Sequence, residues 1–142
     1  MSYFRKEIQK LKSGNYLMVD DEPCIIKSTE RSKSGKHGHA KVRVICEGMF
    51  DENKRSETYP SGSTVMVPEI IKSSAQINYI EDNVINIMDL ESYESLDIKW
   101  PREEKLKKKV EELRENPDEM ASARIEYWKV AGRTLIHRII ID

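Results

Sequence analysis

The stretch Cys24-Ile25-Ile26-Lys27-Ser28-Thr29-Glu30-Arg31-Ser32-Lys33-Ser34-Gly35-Lys36-His37-Gly38-His39-Ala40-Lys41-Val42-Arg43-Val44-Ile45-Cys46 reads as two strands joined by a glycine-bearing tip. Apolar and basic residues alternate from Lys41 to Val44, the period of two that sends successive side chains to opposite faces of a strand. Cys24 to Glu30 supplies the facing strand. Gly35 and Gly38 can take the positive φ that a tight reversal demands, so the segment between the strands is the tip of a β-hairpin. Lys36 and His37 then stand outermost, with no local side chains to fold back onto.

With the two strands of this hairpin, strand-like runs recur at short intervals through the first half: Tyr16 to Val19, Pro23 to Thr29, Ala40 to Phe50, Ser56 to Tyr59 and Thr64 to Val67. Residues that favour reversals divide them, at Ser13-Gly14-Asn15, Asp20-Asp21-Glu22-Pro23, Asp51-Glu52-Asn53 and Pro60-Ser61-Gly62-Ser63. Short strands at this spacing fit a small, strongly bent barrel of the SH3-like kind, assigned to residues 1–70. Pro68 interrupts the run of backbone donors, and Lys72-Ser73-Ser74 reads as a hinge.

Residues 71–142 begin a second set: Gln76 to Ile80, a turn at Glu81-Asp82-Asn83, Val84 to Met88, and Ser95 to Trp100. The period then changes. Leu106, Val110 and Leu113 recur at helical spacing between Arg102 and Asn116, Pro101 suits a first turn, and Asn116-Pro117 stops the helix. Two strands follow, Ala123 to Val130 and Thr134 to Ile141, separated by Ala131-Gly132-Arg133. Three strands, one helix and two strands is the order of an OB-fold, a five-stranded barrel that often binds oligonucleotides. The fold class expected is therefore all-β, with two small barrels.

With 142 residues and a net charge of −1, the chain as a whole has no pull toward polyanions. The charge is uneven, however. Between Lys27 and Arg43 six basic residues (Lys27, Arg31, Lys33, Lys36, Lys41, Arg43) face Glu30 alone, so the hairpin end carries a local positive field suited to a polyphosphate partner. No apolar run approaches the roughly 18 residues of a membrane span, and the polar start Met-Ser-Tyr-Phe-Arg-Lys-Glu does not read as a signal peptide. The expected setting is cytoplasmic, without a membrane partner. In that setting Cys24 and Cys46 are expected as reduced, buried fillers.

Several chemistries are set aside by spacing. Gly35-Lys36 is not a nucleotide-binding P-loop, because Glu30 and His37 stand where that loop needs glycine and a magnesium-binding Ser or Thr. His37 and His39 with Cys24 or Cys46 do not make a credible four-ligand zinc set. No nucleophile elbow is present, and no carboxylate pair is singled out, so neither an enzyme nor a metal site is expected. The mixed charges of Arg102 to Glu115 describe a solvated helix face, not an RNA-binding arm. Trp100, Tyr127 and Trp128 are read mainly as core, and because Tyr127 and Trp128 are adjacent, at most one serves a given surface.

Ser32-Lys33-Ser34-Gly35-Lys36-His37-Gly38-His39-Ala40-Lys41-Val42 closely resembles the signature of translation factor 5A, the hypusine-containing family. The resemblance extends through Gly14-Asn15-Tyr16 and Glu22-Pro23-Cys24, and through Val67-Pro68, Ala75-Gln76-Ile77 and Met88-Asp89. The start and the ending Glu126-Tyr127-Trp128-Lys129-Val130-Ala131-Gly132-Arg133 resemble the archaeal form, and the stretch after Trp100 is the most divergent. The resemblance implies that Lys36 receives an aminobutyl group from spermidine, transferred by deoxyhypusine synthase with NAD, with or without later hydroxylation to hypusine. Both small molecules serve that enzyme, and no cofactor is implied for this chain. The ribosome and peptidyl-tRNA are the implied partners, with stalled, often proline-rich, peptides helped to react. Gly35 and Gly38 would shape the tip, Ser34, His37 and His39 would orient it or contact RNA, and Lys33, Lys41 and Arg43 would attract phosphate. Two other classes stay open: a two-barrel single-stranded RNA-binding protein or RNA chaperone acting without modification, and a nucleic-acid hydrolase using His37 and His39.

Overall fold

In a computed structural model, which describes residues 3–33 and 40–141, the chain divides into two compact units, 1–69 and 70–142. The first contains strands β1 (Tyr3–Glu7), β2 (Tyr16–Val19), β3 (Glu22–Lys33), β4 (Ala40–Gly48), β5 (Lys54–Pro60) and β6 (Thr64–Pro68), with a 3-10 turn at Ile8–Lys10. β2, β3, β4 and β5 form one antiparallel sheet in that order, β1 pairs with β6, and β6 also lies against β2, so the sheet curls into a small barrel. Asp20 and Asp21, with φ of 48° and 66°, form the two-residue reversal between β2 and β3, the left-handed pair whose twist matches that of a hairpin. Ile8, Leu11, Leu17, Ile26, Val42, Val44 and both cysteines fill the interior. Each fully buried Ile or Leu contributes about 1.5–3 kcal/mol.

Strand β1 is absent from the sequence reading. Tyr3-Phe4-Arg5-Lys6-Glu7 shows no apolar alternation, and Phe4 remains half exposed. The segment is a strand because β6 offers it backbone partners, from Tyr3 opposite Pro68 to Glu7 opposite Thr64. Strand β3 likewise runs four residues beyond Thr29, carried by pairing with β4, and its bulge at Lys27 is where Ile26 faces Cys46 and Ser28 faces Ile45.

The second unit contains β7 (Ile70–Ile80), β8 (Val84–Asp89), β9 (Ser95–Lys99), α1 (Glu104–Glu115), α2 (Pro117–Ser122), β10 (Arg124–Val130) and β11 (Arg133–Ile140). The sheet order β11-β10-β7-β8-β9, with β11 approaching β9, closes the barrel in OB-fold fashion, and the helices sit between the third and fourth strands. Val110 and Leu113 of α1 are fully buried against the barrel, while Arg114 ties the helix to Asp82 at 2.5 Å. Ala131 and Gly132, with φ of 51° and 76°, form the two-residue β10–β11 turn.

One reading needs correction here. Lys72-Ser73-Ser74 is not a hinge but the interior of β7, where Lys72, Ser73 and Ser74 pair with Trp128, Tyr127 and Glu126. Serine has weak strand preference, yet the backbone pairing that β10 offers overrides it. Pro117 does stop α1, but it also occupies the first turn of α2, the position where its missing N–H costs nothing.

Candidate functional site

The hairpin singled out by the sequence is the pair β3 and β4. Its register runs from Cys24 opposite Gly48 to Lys33 opposite Ala40. Ser34, Gly35, Lys36, His37, Gly38 and His39 lie outside the described residues, so the structure speaks to the stem that carries them. Val42 and Val44 anchor that stem in the core, whereas Glu30 to Lys33 and Ala40 to Lys41 are exposed. The proximal half is therefore held by apolar burial, and the distal half by backbone pairing and polar contacts.

The three basic stem residues expected to attract phosphate do not share a face. Because side chains alternate, Lys41 and Arg43 project from one face, while Lys33 projects from the other together with Arg31. Arg43 is engaged: its Nε donates to Ser56 Oγ at 3.0 Å, and its guanidinium lies 3.7 Å from the carboxylate of Glu30, its cross-strand partner. That exposed pair contributes little stability but fixes where the charge stands. Arg31, counted in the sequence only as part of the charge, donates to the backbone carbonyl of Gln9. No local pattern pointed to Gln9, which sits in the 3-10 turn some twenty residues away in sequence.

Cys24 and Cys46 are both fully buried and free. Burial is the largest cause that pushes the Cys24 thiol up to about 12, with the neighbouring Cys46 adding to it, and burial likewise raises Cys46. Protonated, enclosed thiols are poor nucleophiles and suit the filler role. At the opposite end of the sheet, Glu22 accepts the backbone N–H groups of Phe50 and Asp51 at 2.9 and 3.0 Å and so shapes the β4–β5 turn. Asp51 and Arg55 form a bidentate pair there, at 3.0 and 2.6 Å.

In the second unit the neighbours Tyr127 and Trp128 separate as alternation requires. Tyr127 is fully buried in the core, whereas Trp128 stands on the outer face, its ring stacked on His137 at 4.1 Å with Lys72 Nζ 5.0 Å from its centroid. His137 reaches Trp128 because it is the extra residue of a bulge between the pairs Glu126–Arg138 and Tyr127–Ile136. Trp100 lies just beyond β9, packed partly against the core, with its indole N–H donating to Glu81 O at 2.7 Å. The face of β7, β8 and β9 carries a polar chain instead of a basic one: Asn78 donates to Asn86 at 2.8 Å and Asn86 donates to Asp97 at 2.8 Å. Among the described residues no helix is long and apolar enough to cross a membrane.

Comparison with known proteins agrees with this geometry. The family model described as "Translation initiation factor 5A-like, N-terminal" matches residues 4–63, the first barrel including the hairpin. The chain is 36% identical over 138 residues to translation initiation factor 5A of Korarchaeum cryptofilum, covering 97% of this chain and 96% of that protein. It is 39% identical to translation initiation factor 5A of Thermofilum pendens, with 98% of each covered. Among solved structures, eukaryotic translation initiation factor 5A from Methanococcus jannaschii superposes with a TM-score of 0.81 at 33% identity, covering 97% of this chain and 95% of that one. Each of these relatives is named as a translation initiation factor. With likeness of sequence and fold along nearly its whole length, the chain belongs to the translation initiation factor 5A family.

Proposed function

We propose that this chain acts on the ribosome, where Lys36, extended to deoxyhypusine or hypusine, positions peptidyl-tRNA and promotes peptide-bond formation at stalled sequences such as proline-rich ones. The observation that carries this reading is the β3–β4 stem, paired out to Lys33 and Ala40, in a chain of this family whose connecting segment Ser34-Gly35-Lys36-His37-Gly38-His39 resembles the family signature. Deoxyhypusine synthase is the partner that moves the aminobutyl group of spermidine to Lys36 Nζ, breaking the spermidine carbon–nitrogen bond as the new one forms and releasing 1,3-diaminopropane. The added segment lengthens the side chain by about 6 Å and presents two amines in place of one. Such a reach suits ribose-phosphate contacts in a narrow cleft.

The roles follow from chemistry. Gly35 and Gly38 allow the reversal, Ser34, His37 and His39 orient the tip or contact RNA, and Lys41 and Arg43 on one stem face with Lys33 on the other supply phosphate attraction. The gain comes from holding the acceptor end of the tRNA in a reactive pose, an entropic contribution that needs no acid or base from this chain. Translation of a proline-rich reporter with modified protein, unmodified protein and Lys36→Arg tests the reading. Arginine keeps the charge but cannot accept the aminobutyl group. Stimulation by the modified protein alone is the expected result, whereas equal stimulation by all three would favour a plain RNA-binding role.

A further inference from the structure

We infer that Arg31, Gln9 and Ser61 are positioning residues that aim the distal hairpin. This rests on the role just proposed for Lys36. Beyond Val42 the stem has no buried side chain, so apolar packing cannot set its direction. Backbone ladders carry it out to the pairs Lys33–Ala40 and Lys41–Pro60, and two polar ties, one on each strand, brace it there. On β3, Arg31 donates its guanidinium to the Gln9 carbonyl. On β4, the carbonyl of Ala40, the first described residue after the tip, accepts the N–H of Ser61 at 2.9 Å, and Ser61 Oγ donates to Gln9 Oε1 at 2.9 Å.

Both ties converge on Gln9, and Gln9 is itself fixed. Its amide donates to Glu7 at 3.0 Å, while its neighbour Ile8 and nearby Leu11 are buried in the barrel, 0% and 1% exposed. The N–H of Ile8 donates to Ser63 O at 2.9 Å, which secures the same turn to the loop that carries Ser61. The 3-10 turn is thus a foot anchored in the core, and the two strands of the stem are braced against it. Lys36 lies five residues beyond Arg31, at most about 17 Å of extended chain. A swing of about 10° at the stem moves a point that far away by about 3 Å, and a misplacement of even 1 Å can cost as much as about a hundredfold in rate. Arg31 and Ser61 contribute no apolar core, so the brace can be cut without unfolding the barrel.

The test uses full-length protein carrying Arg31→Ala, Arg31→Ala with Ser61→Ala, or Arg31→Lys, each modified at Lys36 and verified by intact mass. Amide hydrogen exchange at residues 31–33 and 40–42 should quicken about tenfold in the double variant while the thermal midpoint stays within about 2 °C. Stimulation of the proline-rich reporter at saturating factor should fall about tenfold, with the half-saturating concentration within about twofold of wild type. Arg31→Lys, which retains a donor, should recover part of the loss. Unchanged exchange overturns the brace. Quickened exchange with full stimulation, in an assay where Lys36→Arg is inactive, overturns its positioning role. If Lys36→Arg stimulates as well as wild type, the modified-lysine reading fails instead, and the exchange data decide the brace by themselves.

Discussion

The buried phenol of Tyr127 donates its hydrogen bond to the carboxylate of Asp89, which also accepts the backbone N–H groups of Glu91 and Ser92 at 2.8 and 2.9 Å. One side chain thus ties the turn between β8 and β9 to the core of the second barrel. It also explains why an aspartate belongs at the end of Met88-Asp89. Three donors converge there, and only a short anion accepts all of them.

Replacing Asp89 by alanine leaves the Tyr127 hydroxyl buried without its acceptor and frees two turn amides. We expect a loss of about 2–4 kcal/mol, and about 1–2 kcal/mol for Tyr127→Phe, which removes both the donor and its need for a partner. Urea unfolding followed by far-ultraviolet circular dichroism measures both. Similar losses for the two variants would show that the turn amides contribute nothing.

The same contacts set an acid limit. The Tyr127 hydrogen bond is the largest cause that lowers the Asp89 carboxyl from its ordinary 3.8 to about 2, with the Ser92 amide next. A depressed carboxylate stabilises the fold above its unfolded pKa, and that contribution disappears as pH falls from about 4 through about 2. The unfolding free energy of wild type, read from urea titrations, should therefore drop by about 1–2 kcal/mol over this window, whereas Asp89→Asn should show a shallower drop. Between pH 5 and 8 this group makes no difference.

Gly48 lies against the Asp51–Arg55 pair. A β-carbon at this position would sit 2.0 Å from Asp51 Oδ1 and 2.8 Å from Arg55 Nη1. Gly48→Ala should displace the pair and cost about 1–3 kcal/mol. In an Asp51→Ala background the same substitution should cost less than half as much, because its main obstacle is gone. Thermal unfolding of the four proteins of this cycle gives the answer, and additivity would refute the clash.

Inserting one glycine after Ser73 distinguishes a strand from a hinge. A hinge accepts the extra residue. In β7 the insertion shifts the register against β10, so that Ala75 and Ile77, now 0% and 6% exposed, must turn outward or break their pairing with β8. We expect the second barrel to lose cooperative unfolding while the first keeps its own transition.

Features whose cause lies within a few residues were legible in the chain. The alternation of Lys41 to Val44 announced a strand, Leu106, Val110 and Leu113 announced a helix, and Ala131-Gly132 announced a reversal whose φ angles are both positive. The tip residues around Lys36 were legible for another reason: they resemble a family motif, and their chemistry does not depend on knowing the fold.

What escaped the sequence depends on partners far along the chain. Tyr3–Glu7 becomes a strand because β6 pairs with it, and Lys72-Ser73-Ser74 becomes strand interior because β10 lies alongside. His137 meets Trp128 only through a bulge, and Arg31 meets Gln9 only because the barrel curls the hairpin over the 3-10 turn. The residues themselves determined two β-rich units, a helix, a basic hairpin and the candidate lysine, since backbone preference and side-chain period act locally. Tertiary structure alone decided which exposed groups hold that hairpin, because hydrogen bonds between distant segments form only after apolar burial has closed the barrel and brought them within reach.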